Sequence, residues 1–131
     1  MGLKKQEKEL MERIRDDGFV RYVRHERFEE SIESLDMDGK TFTNVGGITF
    51  VLITPEYVRE HTRILFYGDM TDNDDYAWVK DQFQQHSSAI GYSICDVKDT
   101  YHKRLGRVIA TGRALEQLSD LLEQLSYING D

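Results

Sequence analysis

Cysteine is nearly missing from this 131-residue chain. Cys95 stands alone, which excludes an internal disulfide and a paired-thiol zinc site and fits a reducing compartment. Pro55 is the only proline, and the chain carries no repeat, linker or low-complexity tract. No apolar run approaches the roughly 20 residues needed to cross a bilayer. The first ten residues, Met1 to Leu10, are charged throughout, so neither a secretory signal nor a membrane partner is expected, and the protein is assigned to the cytoplasm. Excess positive charge is also missing. A net charge of −7 opposes general attraction to DNA or anionic lipid, so no DNA partner is expected. What remains is an ordinary globular composition, 39% hydrophobic and 31% charged, too apolar for disorder and long enough for one core, so residues 1–131 are read as a single domain.

Hydrophobic spacing divides the chain into elements. Leu3, Leu10, Met11 and Ile14 recur at helical spacing and Gly18 offers a stop, which predicts an amphipathic first helix from Leu3 to Asp17. Phe19–Arg24 is rich in aromatic and β-branched residues and reads as a strand. Phe28, Ile32 and Leu35, spaced by four and three, predict a short helix before a turn at Asp36–Gly39. Lys40–Thr43 and Ile48–Ile53 read as two strands joined by a turn at Asn44–Gly47. Thr54-Pro55 opens a short helix or turn, and Arg63–Tyr67 reads as a further strand. Asp72 caps a helix bearing Tyr76, Val79 and Phe83, and Ile90–Cys95 returns as a strand. Asp99 or Thr100 then caps a helix whose inner face would be Leu105, Val108, Ile109 and Gly112. Beyond Gly112 the apolar stripe moves to Leu115, Leu118, Leu122 and Leu125, which implies a kink or a second buried surface, either within the chain or between subunits. The order is that of an α+β domain with a long C-terminal helix or helix pair.

Chemistry concentrates near the carboxyl end. Lys103, Arg104, Arg107 and Arg113 lie close together in an acidic chain, on a strand leading into a helix, which suits nucleotide phosphates because guanidinium forks match phosphate oxygens in pairs. On a straight helix Arg104 and Arg107 share one flank and Arg113 projects from another, so either two roles or a pocket completed by another subunit is implied. The structural alternative pairs these arginines with Glu116, Asp120 or Asp99 on a solvated face. Trp78, Phe83, Tyr92 and Tyr101 offer aromatic faces for a base or fill the core, with Trp78 off the Tyr76–Val79–Phe83 stripe and so a candidate for exposure. Arg63 and Phe83 join the candidate set on chemistry alone. His25, His61, His86 and His102 lack metal spacing, the Asp69–Asp75 cluster lacks the glycine and terminal glutamate of a calcium loop, and a Cys95–His102 nucleophile pair has no orienting partner, so no metal or cofactor is expected.

The pattern Cys-x-x-Lys-Asp-x-Tyr-x-Lys-x-x-Gly-Arg-x-Ile-Ala-x-Gly-Arg-Ala, from Cys95 to Ala114, resembles the Thoeris anti-defence sponge family, phage and prophage proteins that sequester cyclic ADP-ribose signals. The resemblance covers about a sixth of the chain. It implies a non-enzymatic protein of the host cell cytoplasm, built as an antiparallel sheet flanked by helices and assembled as a homodimer or higher homo-oligomer. It further implies a cyclic nucleotide small molecule at subunit contacts, with cyclic oligonucleotides at separate sites in some members. By carry-over Arg113 contacts ligand phosphate. Asp96 stands where the family more often has a neutral polar residue, so its carboxylate would accept from a ribose hydroxyl or an adenine amino group and repel phosphate. A different class of function is an acidic inhibitor that blocks a host defence enzyme, with Asp69–Asp75 imitating a phosphate backbone. An enzymatic reading would require turnover of a nucleotide.

Overall fold

The computed structural model describes residues 2–70, 72–96 and 102–128, with side chains to residue 123. Its elements in order are helix α1 (Leu3–Asp16), strands β1 (Phe19–Met37) and β2 (Lys40–Pro55), a 3-10 turn (Glu56–Val58), helices α2 (Arg59–Phe66) and α3 (Asn73–Gln85), strand β3 (Ala89–Asp96) and helix α4 (Lys103–Ile128). The three strands form an antiparallel sheet in the order β1-β2-β3, so the fold is α+β with one long C-terminal helix. Among the described residues no helix is long and apolar enough to cross a membrane.

The central strand explains the layering. Along β2 the side chains alternate: Ile48, Phe50 and Leu52 join Phe66, Tyr76, Val79 and Phe83 in one core, while Val51 and Ile53 join Ile14, Ala110, Ala114 and Leu118 in another. Helices α2 and α3 therefore cover one face and α1 and α4 the other. A strand covered on both sides reads as a near-continuous apolar run, as Ile48–Ile53 does. Three buried hydroxyls tie the far end of the sheet to α2: Thr54 Oγ1 lies 2.9 Å from Thr62 Oγ1 and 2.7 Å from Ser88 Oγ.

Four expectations are corrected. Residues 28–35 belong to β1, not to a helix. Register passes from Arg27 opposite Gly47 to Ile32 opposite Val45, so four residues of β1 bulge against one of β2. The bulge breaks the two-residue period and turns Phe28, Ile32 and Leu35 toward the same core, which imitates helical spacing. The hairpin turns at Asp38-Gly39, with φ of 58° and 73°, as a two-residue loop of the type that demands such angles. Asn44–Gly47 is accordingly not a turn; Asn44 takes φ 52° within a continuous β2. Arg63–Tyr67 falls at the end of α2, where Thr62 and Phe66, four apart, are buried and Ile64 is exposed. Finally, the inner face of α4 is Ala110, Thr111, Ala114 and Leu118, all buried, whereas Leu105 and Gly112 are exposed. The helix runs unbroken through Gly112; of its second apolar stripe Leu115 and Leu118 pack in the core that holds Ile14 and Met11, while Leu122 is exposed and the Leu125 side chain lies outside the described residues.

Candidate functional site

Helix α4 lies unusually close to β3. A Cβ on Gly91 would sit 2.5 Å from Ala114 N and nearer still to the Ala110 carbonyl, so only glycine there, facing two alanines, permits the contact. This approach brings α4 side chains to the free edge of the sheet. Arg113 donates from a guanidinium nitrogen to the Tyr92 carbonyl at 2.8 Å, and the Gln117 amide oxygen, one turn on, accepts the Ile90 N–H at 3.0 Å. The two side chains occupy the edge of β3 at Ile90 and Tyr92, where another strand would otherwise pair. Only one of the five guanidinium donors has a partner among the described residues, so the fork retains donors for a ligand.

A cavity of about 260 Å³ opens beside Arg113, bounded by the hairpin tip, α3, β3 and α4. Phe42, Tyr76 and Tyr92 make its walls in edge-to-face contact, with ring centroids 6.0 Å apart for Phe42–Tyr92 and 5.5 Å for Tyr76–Tyr92. Arg113 and Lys40 supply positive charge and Asp38 a carboxylate. Asp38 is fixed by Lys80, whose Nζ donates at 2.9 Å and pins the hairpin tip to α3. Burial raises the Tyr76 phenol well above its ordinary pKa, with the Asp38 charge adding to it. The Tyr92 phenol is raised by burial and by Asp38, against an opposing pull from Arg113. Both phenols therefore remain protonated donors at neutral pH. Chemically, the cavity pairs two cations with aromatic walls and one acceptor, a set suited to a phosphate attached to a ring or sugar.

The remaining candidates lie elsewhere. Arg104 and Arg107 indeed occupy another flank of α4, and they face Glu7 of α1. Arg107 grips that carboxylate with both nitrogens, Nε at 2.7 Å and a terminal nitrogen at 3.1 Å, while Arg104 Nε stands at 3.5 Å. Arg21 of β1 joins at 3.0 Å and also reaches Thr111 Oγ1 at 3.2 Å. The Arg107 and Arg21 hydrogen bonds hold Glu7 well below the usual carboxylate range, at about 2, against the opposing effect of burial. The expected pairing with Glu116 or Asp120 is thus replaced by a residue on the first helix; Asp99 falls outside the described residues. Phe83 is fully buried between α3 and the sheet and offers no face to a ligand. Arg63 pairs at 2.9 Å with Glu60 on the surface of α2, away from the cavity. Asp96 ends β3 opposite Val45, beyond the Ile90–Tyr92 stretch that lines the cavity. His102 has a structural task, its Nδ1 accepting the Leu105 N–H at 3.1 Å at the start of α4. Asp72 caps α3 by accepting from the Asp74 and Asp75 N–H groups, which gives that acidic cluster a structural cause.

Sequence reasoning found Arg113 and Tyr92 but missed Asp38, Lys40, Phe42 and Gln117. Gln117 carried a usable signal, standing four residues from Arg113 on one helix face. The other three lie in or just after the turn expected at Asp36–Gly39, and become visible only once that turn is seen to close a hairpin of β1 on β2, which puts Lys40 and Phe42 on one side. No protein-family model, curated protein or solved structure matches the chain.

Proposed function

We propose that the protein binds and holds a cyclic nucleotide signal, of the cyclic ADP-ribose or cyclic oligonucleotide kind, without transforming it. The observation that carries this reading is the exposed Arg113 guanidinium beside Lys40 at the mouth of an aromatic-walled cavity. A phosphate sits on the two cations, a ring meets Phe42 and Tyr92, and Asp38 accepts from a ribose hydroxyl or base amino group. The cavity volume falls just under the roughly 300–1,000 Å³ of ordinary ligand clefts, so it takes one phosphate-bearing portion of such a ligand. The rest projects beyond the sheet edge, where a second copy of the chain would enclose it. The two phenols, both held protonated, favour hydrogen bonding over proton transfer near neutral pH. The resemblance of Cys95–Ala114 to the sponge family supports the same reading and the same phage or prophage setting.

Isothermal calorimetry with cyclic ADP-ribose isomers and with cyclic di- and trinucleotides is expected to give tight binding to at least one of them. That ligand should be recovered unchanged after heat denaturation of the complex. Absence of binding to all of them sinks the proposal, and a chemically altered nucleotide replaces it with an enzymatic one. Arg113→Ala is expected to weaken binding by about 1.5–3 kcal/mol, the worth of a charge-assisted hydrogen bond, with the circular dichroism spectrum unchanged.

A second reading rests on Trp78, 56% exposed and one turn beyond the exposed acids Asp74 and Asp75 on α3. An aromatic anchor beside carboxylates suits the inhibition of a basic host enzyme. Stoichiometric capture of such an enzyme from host lysate, abolished by Trp78→Ala and indifferent to Arg113→Ala, would favour it.

A further inference from the structure

We propose that Arg21, Arg104 and Arg107 form a second anion site, matched to a phosphate or pyrophosphate group, for which the Glu7 carboxylate of α1 competes. Three guanidinium groups from β1 and α4 converge on this one carboxylate. Both oxygens are engaged, yet one negative charge faces three positive ones and the Arg104 contact is long at 3.5 Å. A phosphate offers a third oxygen and up to a second charge, and so satisfies three forks more completely than a carboxylate does. The surplus is felt nearby. His25 on β1 is held below its ordinary pKa, by burial first and then by Arg107, Lys103 and Arg21, with Glu7 opposing them only in part.

The occupant is also mounted to leave. Among the described residues of α1 only Ile14 is fully buried. A groove of about 500 Å³, lined by Lys8, Met11, Phe19 and Val20 among others, runs between α1 and the start of β1. Gly18, at φ 82°, joins helix to strand. Lifting the Glu7 end of α1 uncovers the arginines, while Met11 and Ile14, further along the helix, hold it to the core on that face. The site lies on the flank of α4 away from Arg113 and does not depend on what the other cavity binds.

Inorganic pyrophosphate is the probe. Glu7→Gln should bind it at least about tenfold more tightly than the wild type, because a competing charge is gone. The gain should vanish in Glu7→Gln/Arg107→Gln and survive in Glu7→Gln/Arg113→Ala, which separates this site from the Arg113 cavity. Equal affinity in wild type and Glu7→Gln, or a gain that ignores Arg107, overturns the proposal. Hydrogen exchange on the wild-type protein supplies an independent readout should the variant fail to fold. Pyrophosphate is expected to speed exchange of the α1 amides by releasing Glu7, whereas unchanged or slower exchange would mean that the ion cluster is purely a brace.

Discussion

Replacing Gly91 with alanine probes what positions the cavity. The added Cβ would lie 2.5 Å from Ala114 N, where ordinary contact begins at 3.4 Å, and still closer to the Ala110 carbonyl. Both are backbone atoms, so no side chain can swing aside, and α4 must retreat by roughly 1 Å at an overpacking cost of about 1–3 kcal/mol. The retreat also draws Arg113 from the Tyr92 carbonyl and Gln117 from the Ile90 N–H. Each lost bond adds about 0.5–1.5 kcal/mol. The expected total of about 2–6 kcal/mol is a large part of the roughly 5–15 kcal/mol that stabilises a domain. At about 4 °C per kcal/mol the melting temperature falls by roughly 8–24 °C. Gly112→Ala is the matched control, since a Cβ there meets open space on the same helix. It should raise stability by about 0.5–1 kcal/mol through helix propensity alone. Scanning calorimetry on both variants decides the matter. A Gly91→Ala protein that melts within about 2 °C of the wild type, under 1 kcal/mol on the same scale, refutes the close approach as the cause of Arg113's placement.

Three further outcomes follow from the geometry. Glu7 has a folded-state pKa of about 2 against an ordinary 4.5, so the unfolded chain takes up its proton first as pH falls. Its contribution is therefore complete above pH 4.5 and is lost between there and pH 2; allowing for solvent screening it amounts to about 2 kcal/mol. Urea unfolding at pH 6 and pH 3 should show the wild type losing more stability than Glu7→Gln, and equal losses would refute the assignment. Asp72→Ala removes the side chain that accepts from Asp74 and Asp75 N–H. It should cost about 1 kcal/mol in urea unfolding, with most of it retained in Asp72→Asn. In the ligand assay the same Asp72→Ala change should leave nucleotide affinity untouched, because the cap lies outside the cavity lining.

What could be read from residue order was whatever local periodicity controls. The first helix, the Asp72 cap with its Tyr76–Val79–Phe83 stripe and the Ile90–Cys95 strand each carry an unbroken period and match the structure, and the long last helix was legible although its stripe shifts at Gly112. Phe28–Leu35 misled because a bulge supplies the same four-and-three spacing as a helix. Arg63–Tyr67 misled because three β-favouring residues, Ile64, Phe66 and Tyr67, stand at the end of a helix whose burial of Thr62 and Phe66 outweighs their preference. The inner face of α4 was hidden for the opposite reason: its key positions, Ala110 and Ala114, are the small ones. At the site, Arg113 stood out by charge in an acidic chain. Glu7 could not, for its partner Arg107 is 100 residues away and no local pattern joins them.

Among the described residues β3 pairs as far as Asp96, opposite Val45, whereas the β1–β2 hairpin continues to Met37 and Lys40. Among the described residues Lys40–Thr43 therefore pair with β1 alone, and Asp38, Lys40 and Phe42 ride on an overhang whose outer end is tied to α3 by the Lys80 ion pair. That end is held by the ion pair and by Leu35, Met37 and Phe42 packed in the core. Under the proposed function, the admission of a guest would depend on these contacts more than on the pairing of the middle strand.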